Sequence, residues 1–458
     1  MTVTPLHTAS ASPRLILIFA GWGQDATPFG PLAVDGYDIA VCHSYTHVRP
    51  DWDALLRGYG EIVVVAWSYG LGPAAEFIAS HPRLPVTARI AVNSTPWPVH
   101  PTLGIPPELF EATLRGLDAR AKRKFDMRMC GGARAYALYE PRAPRREVGG
   151  LREELVYLTS TPWPRVRWDV GIVQTEDAII PPDAQRRAWE TEAARTILLP
   201  GPHLPDFGRL LGDMLTRKEL VAERFAGAAT TYDAEATVQA GIVSRLIGLI
   251  PEEAYGGRVL EIGSGTGQAT ALLAARPHTA LEAWDLHITP AVAAIPGIVT
   301  RDCDAEAEIF KLADGSVDLL VSASAVQWFN SLPAFLREVA RVLSLGGTAA
   351  ISTYGPATMR ELHTALGTCS RYASIEELLG MLPPGLLAAD VREETITLTF
   401  DTPRDVLRHM RLTGVNALGS GPSAVAAART LLESYPLSPD GTAPLTYQPI
   451  HILLRKPL

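Results

Sequence analysis

Glu61-Ile-Val-Val-Val-Ala66-Trp67-Ser68-Tyr69-Gly70, running on into LGPAAEFIASH (71–81), decides the first half of the fold. Ile62 to Val65 are consecutive β-branched residues with no polar alternation, which reads as a strand buried on both faces. Ala66 and Gly70 place small residues two positions before and after Ser68, and a helix-forming run begins at once. Strand, tight turn and helix in that order is the setting of a nucleophile elbow, which thrusts a serine hydroxyl above the end of a sheet. Outward from it, LILIFA (15–20) reads as the first strand and breaks at Gly21-Trp22-Gly23. YDIAVCH (37–43), ARIAVNST (88–95), WDVGIVQT (168–175) and RTILLPGPH (195–203) supply further strands. Residues 101–160, rich in charge and helix formers, predict a helical insertion or cap. Alternating strands and helices imply a mainly parallel sheet covered on both faces.

A second start follows near residue 218. KELVAERFAGAATTYDAEATVQAGIVSRLIGLI (218–250) has apolar residues at three- and four-residue spacing and predicts helix. GRVLEIGSG, QATALLAAR, ALEAWDL, VDLLVSAS, LPAFLREVARVL and GTAAISTYG then alternate strand and helix. The expected architecture is therefore α/β, two doubly wound domains in tandem, over 1–215 and 216–458, with no Pro/Ser-rich linker. A length of 458 residues suits two or three domains rather than one core. The hydrophobic fraction of 47% and charged fraction of 20% exclude a disordered or collagenous chain. No apolar run approaches the length of a membrane span, and LILIFA lacks the flanks of a signal peptide. Cys42, Cys130, Cys303 and Cys369 are scattered and form no CxxC pair. A disulfide framework and a metal site are not expected, and a cytoplasmic setting is.

The net charge of −8 argues against nucleic-acid binding, but it is unevenly spread. Residues 1–217 are neutral overall, whereas 114–152 carry eleven basic residues, among them Arg115, Lys122, Arg123 and Lys124, against four acidic ones. Such a segment is either a solvated helical face or a docking surface for an acidic partner.

Two sites can be read from the residues. In the first, Ser68 needs an acid and a histidine later in the chain, in that order. Asp177 follows the strand GIVQTE and His203 follows the next strand. The histidine would take the serine proton, and the aspartate would hold its tautomer. Asp169, Asp183 and Asp206 are rival acids, while His43, His47, His81 and His100 come too early. The backbone N–H of Tyr69 and that of Trp22 are the expected oxyanion donors. In the second site, Glu261 ends a strand ahead of Gly263, Gly265 and Gly267. An acid here suits an ammonium or sulfonium and would repel a diphosphate. Asp285, 18 residues beyond Gly267, is placed for ribose hydroxyls, and Asp304, with Asp302 as rival, for an adenine amino group. The pattern fits S-adenosylmethionine better than a dinucleotide.

Residues 222–458 resemble the BioC-type malonyl carrier-protein methyltransferases of biotin synthesis. The likeness rests on FAGAATTYDAEATVQ (225–239), the Glu261–Gly267 loop, Ala325-Val326-Gln327-Trp328-Phe329, Arg411 to Ala417, and Pro444-Leu-Thr-Tyr447. Residues 14–210 resemble the BioG-type pimeloyl carrier-protein methyl ester esterases through Gly21-Trp22-Gly23, Trp67-Ser68-Tyr69-Gly70, the Asp177 loop and Gly201-Pro202-His203. The resemblance implies an α/β-hydrolase-like domain with a cap and a Rossmann-like class I methyltransferase domain. It further implies two reactions on cargo held by acyl carrier protein: methylation of a malonyl carboxylate and removal of the methyl group from a pimeloyl ester. The basic segment would then meet the acidic carrier. Tyr232 would orient reactants or pack on the methyl donor, and Arg411 or His409 would hold the substrate carboxylate. Alternatives are a general carboxylesterase or thioesterase fused to a small-molecule methyltransferase, and an inactive hydrolase module that recruits carrier protein.

Overall fold

The structure, a computed structural model, describes residues 1–7, 12–46, 50–368, 370, 372–414 and 422–458, apart from the side chains of 229–230 and 422–424. His47, Cys369 and the end of the Arg411–Ala417 motif lie outside the described residues. The chain divides into two compact units, Met1–Thr216 and Arg217–Leu458. Among the described residues no helix is long and apolar enough to cross a membrane.

The first unit is built on β1 (Thr2–His7), β2 (Arg14–Phe19), β3 (Asp38–His43), β4 (Glu61–Trp67), β5 (Val86–Val92), β6 (Val170–Gln174) and β7 (Thr196–Leu199). Their order in the sheet is β1-β3-β2-β4-β5-β6-β7, with β1 antiparallel and the rest parallel. β3, β4 and β6 are buried at every position, as unalternated β-branched runs require. The chain moves from β2 outward to β3 and returns on the other side of β2 as β4. The crevice at the carboxyl ends of β2 and β4 is thus the topological switch point, where open α/β sheets bind ligands. Gly21-Trp22-Gly23 and Ser68 both emerge there.

Helices α1 (Trp52–Leu56) and α2 (Leu71–Ser80) flank this central part. Between β5 and β6 the chain inserts four helices: α3 (Pro107–Arg115), α4 (Ala119–Met129), α5 (Ala133–Tyr139) and α6 (Val148–Ser160). α7 (Pro182–Glu192) and α8 (Phe207–Met214) follow β6 and β7. The sheet does not start at Leu15. β1 precedes it on the edge, partly exposed, with Pro5 and a register shift between Pro5 and His7. A proline inside a strand is confined to such an edge or to a bulge, and together they blur the strand pattern in the sequence.

The second unit opens with α9 (Lys218–Glu235) and α10 (Thr237–Leu249). The predicted continuous helix breaks at Ala236, whose φ of −87° and ψ of 47° leave the helical region. Its sheet contains β8 (Arg258–Ile262), β9 (Ala280–Asp285), β10 (Val299–Asp302), β11 (Val317–Ala323), β12 (Leu343–Tyr354) and β13 (Leu387–Glu393). β14 (Ile396–Phe400) and β15 (Ala443–Tyr447) form a separate antiparallel pair, and β16 (Pro449–Arg455) returns to the main sheet. The main order is β10-β9-β8-β11-β12-β16-β13, with β16 antiparallel to both neighbours. Here the switch point lies between β8 and β11, and the glycine loop follows β8 into α11 (Gln268–Ala274).

Candidate active sites

Ser68 occupies the turn between β4 and α2 with φ of +56°, a left-handed conformation that costs energy for a residue with a Cβ. Gly70 explains why the turn can be so tight. A Cβ there would stand 2.2 Å from the Phe19 carbonyl oxygen, so β2 and the turn can approach this closely only at glycine. His203 Nε2 lies 2.9 Å from Ser68 Oγ, and His203 Nδ1 lies 2.8 Å from Asp177 Oδ2. All three residues are buried.

The carboxylate and the ring are themselves held. Asp177 Oδ1 accepts from the backbone N–H groups of Ile179 (2.8 Å) and Ile180 (3.0 Å), and Oδ2 also accepts from Gln185 Nε2 (2.7 Å). The Trp67 indole donates to the His203 carbonyl at 2.9 Å, and Asn93 Nδ2 donates to the same oxygen at 2.8 Å. Gln185 and Asn93 were not singled out from the sequence, because a lone amide on a helix or at a strand end carries no signal of its own. The rival acids serve local structure instead: Asp169 accepts from Arg89 N, Asp206 caps α8, and Asp183 is exposed in the first turn of α7. His43, His81 and His100 bond to groups near their own strands and turns.

Trp22 and Tyr69 line one small cleft with Phe110, Phe125, Leu155 and Ile179. Ser68 and Tyr69 line a second small cleft, so Tyr69 borders both. Gly21 packs against the serine: a side chain there would meet Ser68 Cβ at 3.1 Å. Burial raises the Tyr69 phenol far above its ordinary pKa, leaving it protonated.

The basic segment needs a correction. Lys122 does not face solvent: its side chain is 12% exposed, its Nζ lies 2.6 Å from Asp126 Oδ1, and it sits 5.8 Å from the Trp22 ring centre. It lies on the inner face of α4, one turn from Asp126, and its charge is spent there. Arg115 and Arg123 are exposed and paired with Glu111 and Glu140, each at 3.1 Å, and Lys124 is exposed.

In the second unit the loop after β8 carries positive φ at Gly263 (+79°), Gly265 (+54°) and Gly267 (+94°). At Gly263 a Cβ would lie 2.3 Å from the Ala325 Cβ, so this glycine lets the loop pass the end of β11. A cleft opens above it, lined among others by Tyr232, Gly263, Asp285, Asp304 and Trp328. Asp285 accepts from Gly265 N (2.9 Å) and His287 N (3.1 Å), and burial raises its pKa. Asp304 lines the cleft, whereas Asp302 does not: its side chain is 66% exposed and accepts from Ile288 N. Lys218, missed in the sequence, places Nζ 2.5 Å from Asp304 Oδ2 and 2.6 Å from Glu306 Oε2.

Glu261 stands behind the lining residues Ile262 and Gly263. It is 1% exposed, neither carboxylate oxygen makes a hydrogen bond of good geometry, and burial pushes its pKa up to about 7, with Asp285 adding to the rise and the nearby Thr270 opposing it. An orphaned buried acid beside a glycine loop, with two further acids on the cleft wall, fits a ligand that brings ammonium, ribose and amino donors. Tyr232 lines the cleft, its ring 6.1 Å from Phe225, which meets Trp328 at 5.9 Å. Arg411 is not in the cleft. The helix Pro403–Leu412 buries Val406, His409 and Met410, and its periodicity turns Arg411 to solvent. His409 lies 3.1 Å from the Tyr447 hydroxyl, away from the lining residues. Among the described residues no group of three or more His, Cys, Asp or Glu is placed to hold a metal ion.

Residues 4–205 match the family described as pimeloyl-ACP methyl esterase BioG, and residues 260–351 match a methyltransferase domain. A malonyl-[acyl-carrier protein] O-methyltransferase of Bacteroides fragilis (strain 638R) is 33% identical over 99% of this chain and 96% of its own. The biotin biosynthesis bifunctional protein BioHC of Cellvibrio japonicus is 31% identical over 55% of this chain and 53% of its own. The crystal structure of BioG from Haemophilus influenzae, 28% identical, covers 44% of this chain and 94% of its own with a TM-score of 0.40. With one third of its residues shared along nearly the whole of both chains, the protein belongs to the malonyl-[acyl-carrier protein] O-methyltransferase family, in a form that carries a BioG domain ahead of its methyltransferase domain.

Proposed function

We propose that the chain is bifunctional: residues 1–215 form an α/β-hydrolase-like carboxylesterase with a cap over about 101–160, and residues 216–458 an S-adenosylmethionine-dependent methyltransferase. The observation that carries the esterase half is the buried Ser68–His203–Asp177 array, at 2.9 and 2.8 Å, in a left-handed turn at the switch point. His203 takes the Ser68 proton as Oγ bonds to the ester carbonyl carbon, and the carbonyl electron pair moves onto oxygen. Backbone N–H groups of Tyr69 and Trp22 receive that oxyanion. His203 then gives its proton to the departing methoxy group, which leaves as methanol. Water, deprotonated by His203, releases the acid and restores Ser68.

In the second unit Glu261, Gly263, Gly265, Gly267 and Asp285 hold S-adenosylmethionine, with Asp304 rather than Asp302 meeting the adenine amino group. Bound there, S-adenosylmethionine supplies an electrophilic methyl group. The acceptor, the free carboxylate of a malonyl group on acyl carrier protein, is already ionised, so this unit needs no general base. Its task is to align the carboxylate and exclude water. Tyr232 and Trp328 form the apolar wall suited to that. Methylation makes the malonyl end resemble an alkyl terminus, cheap to bury in an elongation pocket where a carboxylate is costly. The esterase then frees the carboxylate of the elongated pimeloyl group, also on carrier protein, and exposed basic residues of the cap, Arg115, Arg123 and Lys124, face that acidic partner.

Ser68→Ala tests the two-site reading. It should abolish cleavage of pimeloyl carrier-protein methyl ester and leave methyl transfer to malonyl carrier protein intact, both followed by mass spectrometry of the carrier species. Loss of both activities in a folded variant would refute separate sites. Equal methylation of malonyl-CoA and short free acids would favour a general small-molecule methyltransferase.

A further inference from the structure

We infer that the cap helix α6 holds the oxyanion loop of the esterase in register, with Glu154 as the positioning residue; the inference rests on the esterase reading of Ser68. Glu154 is buried at 1% exposure, yet its carboxylate takes three N–H donors. Oε2 accepts from Gly23 N at 3.0 Å and from Arg146 Nη1 at 2.7 Å, and Oε1 accepts from Tyr45 N at 3.1 Å. One turn earlier on the same helix, the Leu151 carbonyl accepts the Trp22 indole N–H at 2.7 Å. Tyr45, fixed through its own N–H by Glu154, donates its hydroxyl to the Ala20 carbonyl at 2.7 Å.

These bonds form a circuit around one peptide group. The segment Ala20–Gly23 is pinned at the carbonyl that precedes Gly21, at the side chain of Trp22, and at the N–H that follows Trp22. What they fix between them is the direction of the Trp22 backbone N–H, one of the two donors assigned to the oxyanion. Beyond the end of β2 at Phe19 the loop's own backbone bonds are Ala20 N to the Cys42 carbonyl (2.9 Å) and Gln24 N to the Gly21 carbonyl (3.2 Å), so the α6 anchors act on a turn whose Gly21–Trp22 peptide is otherwise held by one long bond. Two of the three anchors come from the i and i+3 positions of α6, and the third reaches α6 through Tyr45.

The chemistry of the anchor is specific to a carboxylate. Three donors converge on it from different sides, and an amide would turn an NH2 group toward Gly23 N or Tyr45 N. Arg146, itself on the cap side of the chain just before α6, supplies the countercharge that makes burial tolerable. The cap is therefore a working part of the oxyanion hole as well as its cover. A shift of α6 by a fraction of the bond lengths above misdirects the Trp22 donor, so whatever seats or lifts the cap sets the rate at Ser68.

The test uses the full chain, with a small soluble methyl ester as substrate. A trifluoromethyl ketone of the same acyl group serves as oxyanion mimic, and the matching ether as a ground-state mimic. Glu154→Gln and, as an independent variant that leaves the buried carboxylate paired, Trp22→Phe are compared with wild type. In each, kcat should fall by about ten- to a hundredfold, as expected when an oxyanion donor is misplaced by up to about 1 Å but not lost. Ketone affinity should fall by the same factor as kcat/KM in both, and in Glu154→Gln, whose side chain lies outside the cleft, ether affinity should be unchanged. Ketone and ether affinities falling together in Glu154→Gln, or kcat within twofold of wild type in either folded variant, would overturn the positioning role. A wild-type chain that neither cleaves the ester nor takes a fluorophosphonate at Ser68 would instead overturn the esterase reading on which it rests.

Discussion

Asp177→Asn is the most informative single change, because the hydrogen bonds around Asp177 dictate how the new amide must sit. Oδ1 accepts two backbone N–H groups, from Ile179 and Ile180, which have no alternative protonation state. Oδ2 faces Gln185 Nε2 and His203 Nδ1. Turning the amide nitrogen toward the two backbone donors would leave both unpaired in a buried place, at about 1–3 kcal/mol each. The amide oxygen therefore keeps that side, and its NH2 points at the histidine. Gln185 cannot relieve the conflict by flipping, since its Nε2 also donates to the Ile180 carbonyl at 2.8 Å. The imidazole adapts by accepting at Nδ1 and carrying its proton on Nε2, opposite Ser68 Oγ. In that tautomer it cannot take the serine proton. The expected loss is about 10⁴ in kcat, close to 5.5 kcal/mol of transition-state stabilisation, with KM for a small ester nearly unchanged. Stopped assays of ester hydrolysis, with the rate of fluorophosphonate labelling at Ser68 as a second measure, read this directly. A folded variant that retains more than about a tenth of wild-type kcat would refute the argument.

Glu261→Gln should act in opposite directions on stability and binding. The folded carboxyl titrates near 7 against an ordinary 4.5, so burial costs the unliganded protein stability progressively as pH rises from about 4.5 to 7, and uniformly above. The variant should therefore melt higher at pH 8, by up to about 3 kcal/mol of stability, and equally at pH 4. It should also bind S-adenosylhomocysteine more weakly by calorimetry, while wild-type affinity rises from pH 6 to 8 as the acid ionises; no change in either quantity would remove Glu261 from the site. Reversing charge at Arg115, Arg123 and Lys124 together should raise KM for a carrier-protein ester about tenfold at low salt and leave small esters untouched. Lys122→Glu, by contrast, should slow both substrates, because Lys122 sits against Trp22 and Asp126; equal effects from the two variants would count against a docking surface.

What the sequence made legible follows from how local each signal is. The elbow at Ser68 and the loop at Gly263 were visible because a buried strand, a forced small residue and a helix start lie within ten residues. The order of acid and histidine then singled out Asp177 and His203, both of which the structure brings to Ser68. Asp302 and Asp304 are indistinguishable in sequence because they flank the end of a short edge strand, Asp302 closing it and Asp304 capping the next helical turn, and which of them faces the cleft depends on how the chain turns between them. Lys122 was misjudged for a related reason: charge counts do not record which face of α4 a residue occupies. The same loss of phase misplaced Arg411. Asn93 and Lys218 carry no local signal because their partners are far away in the chain, Lys218's being Asp304 and Glu306, while Gln185 reaches Asp177 only eight residues back but through a turn that no sequence pattern marks. β1 and β13 to β16 left weak patterns because they are edge, antiparallel or short.

The place of β16 has a bearing on how the protein is made. Strand 449–455 lies between β12 and β13, so during synthesis the β12 edge, with Ala349, Ala350 and Ile351 buried in the finished sheet, has no partner until residue 455 clears the ribosome. The seven strands of the first sheet all precede residue 200. At elongation rates of about 5–20 residues per second, the first unit has on the order of ten to fifty seconds to fold before the methyltransferase sheet can close. A nascent chain halted short of 449 should thus already react with a fluorophosphonate at Ser68 yet bind no S-adenosylhomocysteine, and its open β12 edge would be the segment most in need of a chaperone.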